Sequence, residues 1–97
     1  MSANYDLPVD YTRLHWTEKR AVREQYVCEQ KRKCYYCGES LDKDPPERIT
    51  EKQINWGLFP VNFLKYPVHL QHQHDTGMTE GAVHSYCNAV MWQYEGR

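Results

Sequence analysis

The sequence lacks the long apolar run that a membrane span requires. No apolar stretch approaches about 18 residues, and residues 1–6 are polar, without the apolar segment of a signal peptide. We therefore expect a cytoplasmic protein with no membrane partner. Without an export signal, a disulfide scaffold built from the four cysteines is not expected either. A metal site with thiolate ligands is the favoured use of these cysteines.

The chain also lacks an excess of charge, since 12 basic and 13 acidic residues leave a formal net charge of −1. This balance excludes an indiscriminate, strongly cationic nucleic-acid binder but allows a local patch. Residues 19–33 form such a patch, because basic side chains outnumber acidic ones there. The candidate DNA-binding residues are Lys19, Arg20, Arg23, Lys31, Arg32 and Lys33. The alternative is that this patch is a solvated helix face.

Ninety-seven residues are enough for one small domain. An apolar content of 40% and an aromatic content of 13% exclude a disordered chain. We predict an N-terminal arm at 1–16 and a single α+β domain at 17–97, with a loop-rich insertion at 38–68.

Two further segments have recognisable patterns. Thr17 is a suitable N-cap for a helix over 17–31, in which Cys28 is predicted to be a free, buried thiol. The apolar segment 56–68 is broken by glycine and proline, so we expect it to be irregular. We predict that this segment belongs to the core; an interface patch is the alternative.

The C-terminal third has the pattern of a hairpin followed by a helix. We predict a strand at 69–74, a turn at 75–78 with Gly77 in the left-handed conformation, and a return strand at 79–83. A helix follows at 84–95, with Ser85 as a candidate cap and Gly96 just past its end.

Two residue pairs with ligand spacing predict a zinc site. Cys34 and Cys37 are three residues apart, and so are His84 and Cys87. Together they supply the four soft or borderline ligands of a closed tetrahedral site. Because the pairs are far apart in sequence, zinc would join the two ends of the domain.

Two alternatives to this ligand set are open. Cys34 and Cys37 form a Cys-x-x-Cys motif, which also occurs as a redox pair, or both thiols are simply buried. Cys28 or His74 could replace His84 as the fourth ligand; we favour His84 because it completes the second pair.

Histidines are concentrated near the hairpin, where four of the five lie between residues 69 and 84. By the two-residue period of a strand, His72 and His74 share one face, and His69, Gln71 and Gln73 share the other. Spacing alone allows two interpretations of His72 and His74: a functional site, or two exposed strand histidines.

The ordered combination of these motifs resembles the HNH (His-Me finger, ββα-metal) endonucleases. The most similar branch is the phage recombination endonuclease VII group, with Asp-His-x-His, Thr-Gly, Arg-Gly and Cys-x-x-Cys-Asn in succession. This chain has Gln-His-Gln-His-Asp-Thr-Gly at 71–77 and Glu-Gly-Ala-Val-His-Ser-Tyr-Cys-Asn at 80–88. With the earlier Cys-x-x-Cys, the likeness covers 34–37 and 69–92, under a third of the chain.

The resemblance implies a phage-type ββα-metal domain with an N-terminal helix and a structural zinc, which nicks or cuts DNA by hydrolysing phosphodiester bonds. By this analogy His72 is the general base, His74 supports the active site, and Asn88 is an oxygen ligand of a catalytic divalent ion. Gln71 stands where the family has aspartate, another ligand of that ion, and Glu80 stands where it has arginine.

The change at position 71 bears on the catalytic ion. An amide in place of a carboxylate weakens Mg²⁺ binding and favours Mn²⁺, Ni²⁺ or Zn²⁺, held partly by His69 or His74. Gln71 and His72 also point to opposite faces of a regular strand, so they share a site only if the strand twists or ends there.

The alternative function is a catalytically silent, zinc-bound module that binds DNA or a protein partner. A second copy of this chain is a further candidate partner. The ion site around Gln71, His72 and Asn88 separates this alternative from the endonuclease.

Overall fold

The computed structural model describes residues 5–96. Its elements in chain order are a 3₁₀ turn at Tyr11–Arg13, α1 at Trp16–Glu29, α2 at Glu47–Thr50, a 3₁₀ turn at Trp56–Leu58, β1 at Val68–His72, β2 at Thr79–His84 and α3 at Ser85–Glu95. β1 and β2 form a two-stranded antiparallel sheet, against which α1 and α3 both pack. The α+β prediction is confirmed. No helix between residues 5 and 96 has both the length and the apolar character of a membrane span.

The core lies where α1 and α3 meet the sheet. Its fully buried side chains include Val22 of α1, Val83 of β2, and Val90 and Met91 of α3. Ile49 of α2 adds one more buried side chain from the segment predicted as an insertion. The sheet is therefore covered by helices that approach from separate parts of the chain, which allows two strands to suffice.

α1 is two residues shorter at its end than predicted and starts one residue earlier. The predicted cap at Thr17 is wrong, because His15 caps the helix: its Nδ1 accepts a hydrogen bond from the Thr17 backbone N–H at 3.3 Å. Glu18 in return accepts one from the His15 N–H at 3.1 Å, which completes a capping box. An imidazole thus takes the role that the sequence pattern assigned to a hydroxyl.

α1 ends earlier than predicted, and its residue Cys28 does not have the predicted environment. Lys31 and Arg32 have φ of 56° and 61°, so the chain leaves the helix before the basic run. Cys28 is exposed, not buried as predicted. Val22 and Tyr26, four residues apart, define the buried stripe, and Cys28 lies about 200° around the helix from Tyr26.

The hairpin follows the prediction closely. The first strand begins at Val68 and ends at His72, two residues before the predicted end, and the second extends to His84. Gly77 has φ of 77°, as predicted for the turn. His84, instead of Ser85, occupies the N-cap position of α3, whereas Gly96 lies just past the helix end, as predicted, with φ of 70°.

A register shift interrupts the hairpin between Gln71 and His72. Gln71 is paired with Gly81, whereas His72 is paired with Thr79, so Glu80 is the additional residue of a bulge. Such a bulge bends and twists the strands locally. The strand is therefore twisted between Gln71 and His72, which is the condition under which both side chains can reach one site.

Residues 9–11 pair with the hairpin turn. The Tyr11 backbone N–H donates to the Gly77 carbonyl at 2.8 Å, and the Thr79 N–H donates to the Val9 carbonyl at 2.9 Å. This pairing brings the Tyr11 side chain next to the end of β1.

The prediction that segment 56–68 belongs to the core is wrong. Leu58, Val61 and Leu64 are 51%, 108% and 47% exposed. With Pro60 and Pro67 in the chain, the segment forms short turns that have no repeating buried face, so only some of its side chains turn inward. Phe59, Phe63 and Val68 are the half-buried ones, and the rings of Phe59 and Phe63 have centroids 4.7 Å apart.

Candidate metal centre and adjoining cleft

Four residues predicted as zinc ligands meet in the interior. The ligand atoms of Cys34, Cys37, His84 and Cys87 all lie within 4.8 Å of one another, and all four residues are buried. The cysteine pair belongs to the loop after α1, His84 ends β2, and Cys87 lies in the first turn of α3. Within residues 5–96 this is the one such group of three or more His, Cys, Asp or Glu side chains.

The spacing of the donor atoms fits a tetrahedral ion. His84 Nδ1 lies 3.4 Å from Cys37 Sγ and 3.6 Å from Cys87 Sγ. With Zn–S of about 2.3 Å and Zn–N of about 2.0 Å, tetrahedral geometry separates sulfur from nitrogen by about 3.6 Å. The cluster can therefore hold a structural ion such as zinc, with His84, and not Cys28 or His74, in the fourth position.

Groups around the cluster orient its ligands. His84 Nε2 lies 2.9 Å from the carbonyl oxygens of both Ser40 and Lys43. Carbonyls only accept, so Nε2 carries the proton and the lone pair of Nδ1 faces the sulfurs. The backbone N–H groups of Cys37 and His84 each donate to Cys34 Sγ at 3.5 Å.

The three thiols perturb one another. A hydrogen bond from Cys87, helped by the backbone donors, lowers the pKa of Cys34 to about 4. The same hydrogen bond, followed by burial, raises the pKa of Cys87, and burial is the main cause that raises the pKa of Cys37. Crowded thiols thus resist ionising together, and a divalent cation is what would stabilise all three as thiolates.

The cysteine loop also lies against the hairpin. The Tyr35 backbone N–H donates to the Ala82 carbonyl at 2.9 Å. A Cβ at Gly81 would lie 2.8 Å from the Tyr35 ring, so only glycine allows this approach beside the bulge. The metal cluster and the irregular part of the hairpin are therefore adjacent.

A cleft of about 900 Å³ contains the other predicted site residues. Its lining comes from the N-terminal arm, α1, segment 58–66, β1, the turn that follows β1, and α3. The predicted catalytic and catalytic-metal residues that line it are Gln71, His72, His74 and Asn88. Three predicted DNA-binding residues, Lys19, Arg20 and Arg23, line it as well.

The remaining predicted DNA-binding residues, Lys31, Arg32 and Lys33, do not line the cleft. They follow the other end of α1, where Arg32 forms a salt bridge with Asp42 and its Nε donates to that carboxylate at 2.8 Å. The six basic residues are consequently two groups and not one continuous patch.

His72 is stacked on an aromatic ring. The Tyr11 ring is parallel to the His72 imidazole, with centroids 3.9 Å apart and an interplanar angle of 6°. Lys19 Nζ lies 4.2 Å from the Tyr11 centroid, and the ring of His74 lies 5.2 Å from that of His72. Burial, followed by the charges of His74 and Lys19, lowers the pKa of His72, which keeps the imidazole neutral near pH 7.

The contact between Tyr11 and His72 is a feature of this site that the sequence did not indicate. The place of Tyr11 depends on the pairing of residues 9–11 with a turn more than 60 positions later. No spacing or motif in the sequence carries that information.

Gln71 and Glu80, the two residues that differ from the HNH pattern that the sequence resembles, contact each other. Gln71 is 2% exposed, and its amide nitrogen donates to the His72 carbonyl at 2.9 Å and to Glu80 Oε1 at 3.4 Å. The Gln73 amide donates to Glu80 Oε2 at 3.2 Å. An amide thus contacts a carboxylate where the family has a carboxylate and a guanidinium.

The side chain of Asn88 contacts His69, which was predicted to lie on the strand face opposite His72. The Asn88 amide nitrogen Nδ2 donates a hydrogen bond to His69 Nδ1 at 3.0 Å. The His69 ring stacks on the Phe63 ring, with centroids 4.7 Å apart. Burial, with a smaller effect of the Arg23 charge, lowers the pKa of His69. The Asn88 amide oxygen is left as the atom that could face an ion or a phosphate.

The cleft does not fit a dedicated Mg²⁺ site. Mg²⁺ binds proteins mainly through carboxylates, and no Asp or Glu is among the residues that line this part of the described chain. The available donors are neutral amides and imidazoles, which suit a transition-metal ion better.

Comparisons with protein-family models, with curated proteins and with solved structures found no match. The likeness to HNH endonucleases accordingly depends on the motifs at 34–37 and 69–92 alone.

Proposed function

We propose that this chain is an HNH-type endonuclease domain that hydrolyses DNA phosphodiester bonds, with a structural zinc at the Cys₃His cluster. The observation that carries the proposal is the convergence of His72 from β1 and Asn88 from α3 in one cleft that is lined by cations. A hairpin, a helix and this pair of side chains are the parts that the family resemblance requires.

The chemistry assigned to His72 is removal of a proton from the attacking water. Its lowered pKa favours the neutral, proton-accepting imidazole, and the stacked Tyr11 ring holds its orientation. Lys19, Arg20 and Arg23 supply positive charge for the phosphate on which negative charge develops.

The zinc has a positioning role in this proposal. Cys87 and Asn88 are adjacent in the first turn of α3, and His84 connects β2 to that helix. An ion bound to His84 and Cys87 would therefore fix the angle at which α3 presents Asn88 to β1.

The test is a plasmid-nicking assay with Mg²⁺, Mn²⁺, Ni²⁺ and Zn²⁺ in turn. We expect nicking with at least one transition ion, and a loss of about 100-fold or more for His72→Ala, the usual contribution of a general base. Cys28→Ser alters an exposed thiol outside both sites and is the matched control, which should nick at the wild-type rate. Equal nicking by His72→Ala and wild type would contradict the assignment.

A second candidate is a catalytically silent module that binds DNA with the same cleft. The absence of carboxylates from the described lining favours it, as does the engagement of the Gln71 amide with the His72 carbonyl and Glu80. DNA binding without nicking under any of the four ions would identify this function.

A further inference from the structure

The cleft exposes aromatic rings. Trp16, Tyr66 and Trp92 all line it, yet they are 67%, 59% and 41% exposed. They come from α1, segment 58–66 and α3, so their exposure is not the result of one displaced loop. Large aromatic side chains gain much from burial, and a cluster of exposed ones marks a binding surface.

The charge of the same cleft selects among ligands. Lys19, Arg20 and Arg23 line it, and no acidic residue of the described chain does. Arg20 has a partner in Glu24, but that pair is 3.7 Å apart with both side chains 67% exposed, so it competes weakly with a phosphate. A ligand that is complementary to this cleft carries both negative charges and flat apolar faces.

We infer that the cleft binds single-stranded DNA, with bases stacked on Trp16, Tyr66 and Trp92 and phosphates paired with Lys19, Arg20 and Arg23. The inference rests on the proposed function and narrows its substrate to DNA with unpaired nucleotides. In a duplex both faces of each base are covered by stacking neighbours, whereas an unpaired base can offer a face to a protein ring. A strand bound in this way passes His72, which lines the same cleft.

The experiment measures binding by fluorescence anisotropy, with the zinc-loaded full chain and no other divalent ion. The probes are a labelled oligodeoxythymidine of about a dozen nucleotides and a duplex of equal length. We expect the single strand to bind at least about five-fold more tightly, the smallest effect of one stacked base. Trp16→Ala and Tyr66→Ala should each weaken single-strand binding by roughly five- to 150-fold, the effect of losing one stacked base. Trp16→Phe should retain most of the affinity.

Tyr94→Ala is the matched control for Tyr66→Ala. Tyr94 is 50% exposed on α3 but does not line the cleft, so its loss should leave the affinity unchanged. Zinc content and melting temperature of each variant establish that it is folded.

The outcomes separate this inference from the proposed function. Equal binding of duplex and single strand, with Trp16→Ala and Tyr66→Ala indistinguishable from wild type, overturns the inference but leaves a duplex endonuclease standing. If neither DNA binds, both proposals fail, and sedimentation equilibrium of wild type against Trp16→Ala then determines whether the rings are covered by a second copy of the chain.

Discussion

Two sites beside the hairpin present opposite environments. At the β2–α3 junction the Cys₃His cluster is buried, and its imidazole is bonded to two backbone carbonyls. Along β1 the cleft is open and lined by exposed rings and cations. The ligands of the buried cluster find their partners within the chain, whereas the open lining leaves rings and cations accessible to solvent.

One helix serves both environments. Cys87 and Asn88 are neighbours in the first turn of α3, yet Cys87 belongs to the cluster and Asn88 lines the cleft. Consecutive helical residues point about 100° apart, so one turn can supply both sites. The two sites therefore share one helical turn.

The largest effect should come from breaking the closed site. Structural zinc contributes on the order of 10 kcal/mol or more to folding, against about 5–10 kcal/mol for a whole small domain. We expect Cys37→Ser, or removal of zinc by a chelator, to unfold the chain, as measured by circular dichroism together with zinc content. Cys28→Ser should retain one equivalent of zinc and the wild-type melting curve. A chelator-treated chain that melts like the wild type would contradict the assignment.

The open site should respond most strongly to the charges that the HNH endonucleases, which the sequence resembles, have at positions 71 and 80. Gln71→Asp alone places a carboxylate against Glu80, a repulsion of roughly 4 kcal/mol at about 4 Å and an effective dielectric of about 20. We therefore expect Gln71→Asp with Glu80→Arg to raise Mg²⁺-dependent nicking at least about tenfold over either single variant, since each ~1.4 kcal/mol in the transition state is tenfold in rate.

Two results test the interpretation of that double variant. Adding His72→Ala should abolish its nicking, because His72 is the assigned base. If Glu80→Arg alone gives the whole gain, the effect is on DNA binding and not on the ion; if no variant nicks, the silent module is supported.

The two basic groups should differ in their effect on DNA affinity. Three phosphate contacts give a slope of about −2.7 in log affinity against log salt for a duplex, or about 40-fold between about 50 and 200 mM salt. Arg20→Glu with Arg23→Glu should weaken binding and flatten this slope. Lys31→Glu with Lys33→Glu is the matched control at the other end of α1, and an equal effect of both pairs would extend the interface beyond the cleft.

The smallest effect concerns pH. Burial holds the pKa of His69 below its ordinary value of 6.5, so the folded chain keeps this imidazole neutral where the unfolded chain protonates it. The free energy of unfolding should therefore be highest above pH 6.5 and fall as the pH drops below it. His69→Gln should reduce that fall, as measured by thermal melting with zinc content followed in the same samples. An unchanged pH profile in His69→Gln would assign the acid sensitivity to other groups.

Local patterns predicted most of the elements. The hairpin turn at Gly77, the helix end at Gly96 and the zinc quartet were all indicated by residue type and short spacing, because turn geometry and ligand geometry depend on neighbours in the chain. The predictions were wrong where several residues compete for one structural position. His15, and not Thr17, caps α1. The core is formed by α1, α3 and the hairpin, and most of segment 56–68 is exposed.

The sequence by itself determined which residue types are present for a metal cluster, a hairpin and a basic helix, since each is a short-range pattern. Only the tertiary structure decided that Tyr11 stacks on His72, that Gln71 meets Glu80 across a bulge, and that the basic residues divide between two places. These contacts join positions whose separation in the chain has no fixed relation to their separation in space. They arise from packing against the whole domain, which no local pattern encodes.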